Sequence, residues 1–140
     1  MTREHTPPYM PQYNGCVEWR LGLLREKTIV MMQGLEQGGN GRLWAEALGY
    51  ACDLTNMSIT SSNVGRMTPY EKQHGTTLAL DHLQPFGTVG YMWEPTREYK
   101  MAPHGKKCIM LGIAHNYQSG TVRLLNVRTS KIVLRRDVMW

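Results

Sequence analysis

Pro11-Gln12-Tyr13-Asn14-Gly15-Cys16-Val17-Glu18 joins a proline- and amide-rich segment to an Asn-Gly turn, with one carboxylate at the start of an apolar repeat. From there Val17, Leu21, Leu24, Thr28, Met31 and Leu35 recur at steps of four and three, which predicts an amphipathic helix with one weak member. Gly34, Gly38 and Gly39 end it. Gly22 inside the repeat costs about 1 kcal/mol relative to alanine, so this helix leans on tertiary contacts. Asn40 stands where it can cap a second helix, with Leu43, Ala47, Tyr50 and Leu54 on the apolar face and Trp44 and Ala51 widening it. A polar connector over 58–67 leads to Thr68-Pro69-Tyr70-Glu71, which combines an N-cap, a proline at the first helical position and a glutamate at N3. That capping box predicts a short third helix closed by Gly75.

Beyond Pro85 the period changes. Residues 86–93, 107–113, 121–127 and 131–140 are short β-prone runs separated by loops containing Pro, Gly, Asn or Ser. In the last run Ile132, Leu134, Val138 and Trp140 are expected on one face, with Arg136 as the exception. Four short strands within about 55 residues predict a small barrel or rolled sheet. The fold class is α+β, organised as a helical segment over 1–60, a connector with a short helix over 61–84, and a β domain over 85–140.

Composition bounds the function classes. The chain has 140 residues and 41% hydrophobic side chains, enough for one ordinary domain or two small ones. Cys16, Cys52 and Cys108 are odd in number and widely spaced, which points to reduced thiols in an intracellular protein. No apolar run reaches the roughly 18 residues that would span a bilayer, and the N-terminus lacks an apolar h-region, so no membrane role is expected. Charge is placed unevenly. Residues 97–140 hold nine Lys/Arg against Glu98 and Asp137, whereas the first 96 residues hold seven basic and nine acidic side chains. The formal charge of +5 therefore comes from the C-terminal part, the asymmetry of a protein that meets a polyanion. A solvated basic surface on a small β module explains the same numbers without a partner.

Six motifs keep a common order: the Pro-Gln-x-Asn-Gly-x-x-Glu run at 11–18, Leu43-Trp44-Ala45-Glu46-Ala47, Thr68-Pro69-Tyr70-Glu71 with His74-Gly75, His82-Leu83 followed by Phe86-Gly87, Leu111-Gly112, and Arg136-Asp137-Val138. In order and approximate spacing they resemble copia-type retrotransposon Pol polyproteins. The resemblance implies that residues from about 6 to 60 are the last helices of an RNase H-like integrase core, and that 85–140 form the SH3-like β domain that follows it. The chain departs from the family at Tyr13, where a glutamine is usual, at Trp19-Arg20-Leu21-Gly22-Leu23, where a basic and Asn-Arg-rich turn is usual, and at Ile113, where Gly-Tyr is common.

The resemblance also assigns Glu18 as the last carboxylate of an Asp-Asp-Glu triad that holds Mg or Mn in the intact enzyme. Two such ions about 3.5 to 4 Å apart activate an attacking hydroxyl and stabilise the leaving oxygen at a DNA phosphate. Both aspartates precede this glutamate in the family, whereas Asp53, Asp81 and Asp137 all follow it, in an expected helix, a loop and a terminal strand. The expectation is a catalytically incompetent integrase fragment with no cofactor of its own. A glutamate in the first turn of a helix also suits the macrodipole with no metal at all.

Lys106, Lys107, Arg123, Arg128, Lys131, Arg135 and Arg136 are the candidate nucleic-acid contacts, giving salt-sensitive phosphate binding without base readout. DNA and other parts of a retroelement polyprotein are the expected partners, an oligomer is compatible, and the intact parent would work in the nucleus or in a retroelement particle. The alternative is a non-enzymatic protein-interaction piece or an unselected remnant. Other signals are weaker. The five histidines lack zinc-site spacing, and Gly38-Gly39-Asn40-Gly41-Arg42 has no following Lys-Ser/Thr, so a helix-ending turn explains it better. Ser61, Ser62 and Ser119 have no partner constellation. Trp44 and Trp140 are expected in the core.

Overall fold

The structure is a computed structural model that describes residues 14–35, 41–60, 63–77, 80, 83–95, 99–101 and 103–140. The first repeat forms α1 (Gly15–Gln33) and the second forms α2 (Trp44–Met57). Thr28, the weak member of the first stripe, is buried because its hydroxyl donates to the Leu24 carbonyl at 2.7 Å, which satisfies it inside the helix. Lys27 Nζ donates to Thr55 Oγ1 at 2.9 Å and ties α1 to α2. The expected cap Asn40 lies outside the described residues. The connector carries a 3₁₀ turn, Val64–Arg66, and then α3 (Pro69–His74). Its capping box is complete: the Glu71 amide donates to Thr68 Oγ1 at 3.1 Å, and the Thr68 amide donates to Glu71 Oε2 at 2.8 Å. The Thr68 amide, and after it the Thr77 side chain, hydrogen-bond the Glu71 carboxyl and hold it below the usual carboxylate range.

Five antiparallel strands follow: β1 (Val89–Trp93), β2 (Gly105–Ile113), β3 (Val122–Asn126), β4 (Lys131–Arg135) and β5 (Val138–Met139), in the spatial order β4-β3-β2-β1-β5. The architecture is α+β. The two outer strands are consecutive in the chain. In a flat sheet, at about 4.8 Å per strand, they would lie about 19 Å apart. Arg135 and Val138 are three residue steps apart, which reach at most about 11 Å. The sheet therefore curls until its two edges approach each other at Arg136-Asp137.

That corner corrects the reading of 131–140 as one strand. One extended segment pairs first with β3 and then, after a kink, with β1, so the alternation of faces does not run through it. Val133 and Val138 pack against the core, whereas Ile132 and Trp140 are exposed. Trp44 is exposed as well, so neither tryptophan is a core residue. Residues 86–88 are a turn rather than strand, because the Thr88 amide and hydroxyl both donate to the Pro85 carbonyl, at 3.2 and 2.8 Å.

The core joins the helical layer to the sheet. Tyr50 of α2 clusters with Met92, Cys108, Met110, Val122 and Leu124, and Met31, Leu54, Phe86 and Ile113 pack around them. The Tyr50 hydroxyl donates to the Gln84 carbonyl at 2.7 Å, and burial pushes its ionisation above the ordinary tyrosine value. Gly90 is required by close approach: a Cβ there would stand 2.8 Å from the Trp140 ring and 2.9 Å from the Met139 carbonyl.

Candidate nucleic-acid interface

The seven cations proposed from the sequence fall into two groups at opposite ends of the sheet. Lys106 and Lys107 begin β2, opposite Met92 and Tyr91. The β3–β4 turn brings Arg128 and Lys131 to the same end. Asn126 builds that turn: its buried side-chain oxygen accepts from the amides of Arg128 at 3.0 Å and Thr129 at 3.2 Å, and its carbonyl accepts from Ser130 at 2.8 Å. The Val127 amide donates to the Lys107 carbonyl at 3.3 Å, which docks the turn beside β2. Lys107, Arg128 and Lys131 are exposed and Lys106 is half-buried. Four cations from two hairpins thus mark one basic corner of the sheet, with Lys107 on the face of Tyr91 and Lys106 on the opposite face.

Arg123, Arg135 and Arg136 lie at the other end, since Val122 pairs with Arg135 across β3 and β4. Lys131 and Arg135 are four residues apart on one strand, about 13 Å. Arg123 is already engaged: Nε and Nη2 donate to the two carboxylate oxygens of Glu46 on α2 at 3.0 and 2.8 Å. Arg135 donates to the Leu134 carbonyl at 3.0 Å, and Arg136 approaches Gln118 Oε1 at 3.4 Å. Arg123 therefore pins a helix to the sheet, and the remaining two arginines frame the corner where the sheet closes.

Glu18 sits in the first turn of α1, exposed to solvent. Asp53 lies on α2 and accepts from His115 Nε2 at 3.0 and 3.1 Å, and Asp137 lies at the corner between β4 and β5. Burial raises the Asp53 carboxyl above its ordinary value, opposed by His115 and Arg123. Asp81 is outside the described residues. Among the described residues no three or more His, Cys, Asp or Glu side chains converge as metal ligands. Glu18 belongs to no such group among the described residues, and those residues do not form a two-ion centre. No helix among the described residues is long and apolar enough to cross a membrane.

Sequence reasoning passed over the aromatic side chains next to the basic corner. Tyr91 and Trp93 project from the same face of β1 and are 55% and 57% exposed, while Met92 between them is buried. Trp93 stacks on His104 with ring centroids 5.3 Å apart, and His104 Nδ1 lies 2.8 Å from the Glu94 carbonyl. The signal was the strict alternation Val89-Gly90-Tyr91-Met92-Trp93, which puts two large rings on one face of a strand whose other face is small or apolar.

The chain is 25% identical over 138 residues to the retrovirus-related Pol polyprotein from transposon RE1 of Arabidopsis thaliana, a match covering 95% of this chain and 9% of that polyprotein. The similarity is thus to one segment of a retrotransposon Pol polyprotein. No protein-family profile matches the chain. No solved structure matches it.

Proposed function

We propose that this chain is a segment of a copia-type integrase region, spanning the end of an RNase H-like core and an SH3-like domain, which binds nucleic acid and does not catalyse strand transfer by itself. The observation that carries the binding function is the convergence of Lys106, Lys107, Arg128 and Lys131 on one corner, built by the Asn126 turn. The similarity to a Pol polyprotein runs through nearly the whole chain and supports its origin. The rolled five-stranded sheet supports the SH3-like reading. Arg123 is held by Glu46 and stands apart from this corner. Glu18 descends from a metal ligand in this reading.

Binding to a labelled DNA duplex across a salt series tests the function. The wild-type chain should bind with an affinity that falls steeply with salt, because each neutralised phosphate releases counterions. Changing Lys106, Lys107, Arg128 and Lys131 to alanine should flatten the log–log salt slope by roughly 3 to 4 units, about 0.9 per lost contact. An Arg135→Ala/Arg136→Ala variant should keep most of the slope. A folded protein that ignores duplex DNA at low salt would overturn this reading in favour of a protein-interaction piece, for which the exposed Val17, Leu21, Ile29 and Val30 of α1 supply an apolar surface.

A further inference from the structure

We infer that the outer face of β1 and β2 is a stacking platform for single-stranded nucleic acid, with Tyr91 and Trp93 taking bases and Lys107 taking a phosphate. The inference rests on the nucleic-acid binding proposed above and narrows it to one form of the polymer. Strand register places Tyr91 directly opposite Lys107 on one side and Met139 on the other, Trp93 opposite Gly105, and Val89 opposite Ile109. Directly paired residues share a face of the sheet, so this face carries two aromatic rings, one cation and apolar side chains, with Asp137, two residues before Met139, at its edge. Large aromatics beside a lysine are the combination that binds unpaired bases and the phosphates that join them.

Geometry separates single strands from duplexes. Side chains at positions i and i+2 of a strand are about 6.6 Å apart. Bases in a duplex are 3.4 Å apart along each strand and buried in the stack. Tyr91 and Trp93 can each take a base only from a strand whose stack has been opened. Gly105, paired with Trp93, carries no side chain, and a Cβ there would meet the Tyr91 side chain at 3.9 Å, so its absence leaves room beside that ring. The His104 ring stacks on one face of the indole, so a base would take the opposite face, and Glu94 steadies His104 through its carbonyl, 2.8 Å from Nδ1, and its amide, which donates to the His104 carbonyl at 3.0 Å. An exposed tryptophan held this way loses little rotamer freedom when a base stacks on it.

The full chain, its tryptophan fluorescence and a labelled probe test this. Anisotropy is measured with unlabelled competitors of oligo-deoxythymidine, oligo-uridine and a duplex of the same length, for the wild type, Tyr91→Ala/Trp93→Ala and Trp93→Phe. The alanine pair should lose single-strand affinity by roughly 30-fold, the product of two lost stacking contacts, and leave duplex affinity within about twofold. Trp93→Phe, which keeps a ring, should recover most of the loss. Equal binding of thymidine and uridine oligomers would fit stacking without sugar readout, and a preference for one would name the polymer; both support the platform. A wild type that binds duplex as tightly as single strands, or an alanine pair that loses both equally, would overturn the platform while leaving duplex binding standing. Loss of all binding to every probe in the wild type would overturn both proposals. Far-UV circular dichroism of the variants excludes unfolding as the cause, since both rings are surface residues.

Discussion

Helices α1 and α2, of 19 and 14 residues, both carry apolar repeats, yet they commit them to the core unequally. In α2 the middle of the stripe is closed: Ala47, Tyr50 and Ala51 are buried, and Glu46 on the flank of that stripe locks to Arg123 of β3. In α1 the same kind of stripe works only at its C-terminal end, where Thr28, Met31 and Leu35 meet the rest of the molecule. Val17 and Leu21, in phase with those residues, are 59% and 60% exposed. The difference teaches that periodicity sets which side of a helix is apolar, whereas burial depends on whether something stands opposite. Among the described residues nothing covers the first half of the α1 stripe.

The sharpest way to break the comparison is to remove the anchor of α2. Tyr50→Ala takes a nearly fully buried ring from the shared core and should destabilise the fold by about 3 to 5 kcal/mol, the usual cost of deleting a large aromatic. Urea unfolding followed by tryptophan fluorescence measures it. Tyr50→Phe keeps the ring and strands only the Gln84 carbonyl, so it should cost about 1 kcal/mol. If the two variants cost the same, the hydrogen bond and not the packing joins the helices to the sheet.

Much of this was legible in the sequence, and the exceptions have physical causes. The capping box at Thr68-Glu71 is a local device, with every partner within three residues, so its reading survives intact in the structure. The strands were legible as short runs, but the corner at Arg136-Asp137 was not, because the kink depends on two distant strand edges competing for one segment. Trp44 and Trp140 were misread for a related reason. Hydrophobicity says what a side chain prefers, and the limited interior of a small rolled sheet decides which side chains are admitted. At the basic corner, composition identified the cations but not their grouping. Asn126, whose buried side chain gathers Arg128 toward Lys107, carries no charge and did not stand out.

A second prediction sharpens the contrast at the flank of α2. Arg123 and Glu46 form a bidentate pair whose side chains are 39% and 21% exposed, between a surface and a buried ion pair. A double-mutant cycle with Arg123→Ala and Glu46→Ala should give a coupling of about 1 kcal/mol, the upper end for a partly solvated pair with good geometry. The coupling should shrink in high salt, because the partly exposed pair is screened. A coupling indistinguishable from zero would mean that α2 is held by Tyr50 and its neighbours alone.

The smallest expected effect is the most telling for α1. Val17→Gln and Leu21→Gln replace exposed apolar side chains with a good helix former, so the double variant should change stability by no more than about 0.5 kcal/mol. Met31→Gln, one end of the same stripe, should cost about 1 kcal/mol or more, because Met31 packs on the core cluster. The gradient along one helix is thus predicted from contacts alone, with the repeat held constant. Unfolding must be measured at two protein concentrations, since a second copy docked on this face would make stability concentration-dependent. A loss above about 1.5 kcal/mol in Val17→Gln/Leu21→Gln that vanishes on dilution would show that the first half of the stripe is covered by self-association. A loss that does not vanish would place another part of the same chain over it. Either result would erase the contrast with α2, and a loss within 0.5 kcal/mol would leave α1 as a helix whose partner surface is written in its sequence and lies outside the residues that fold around it.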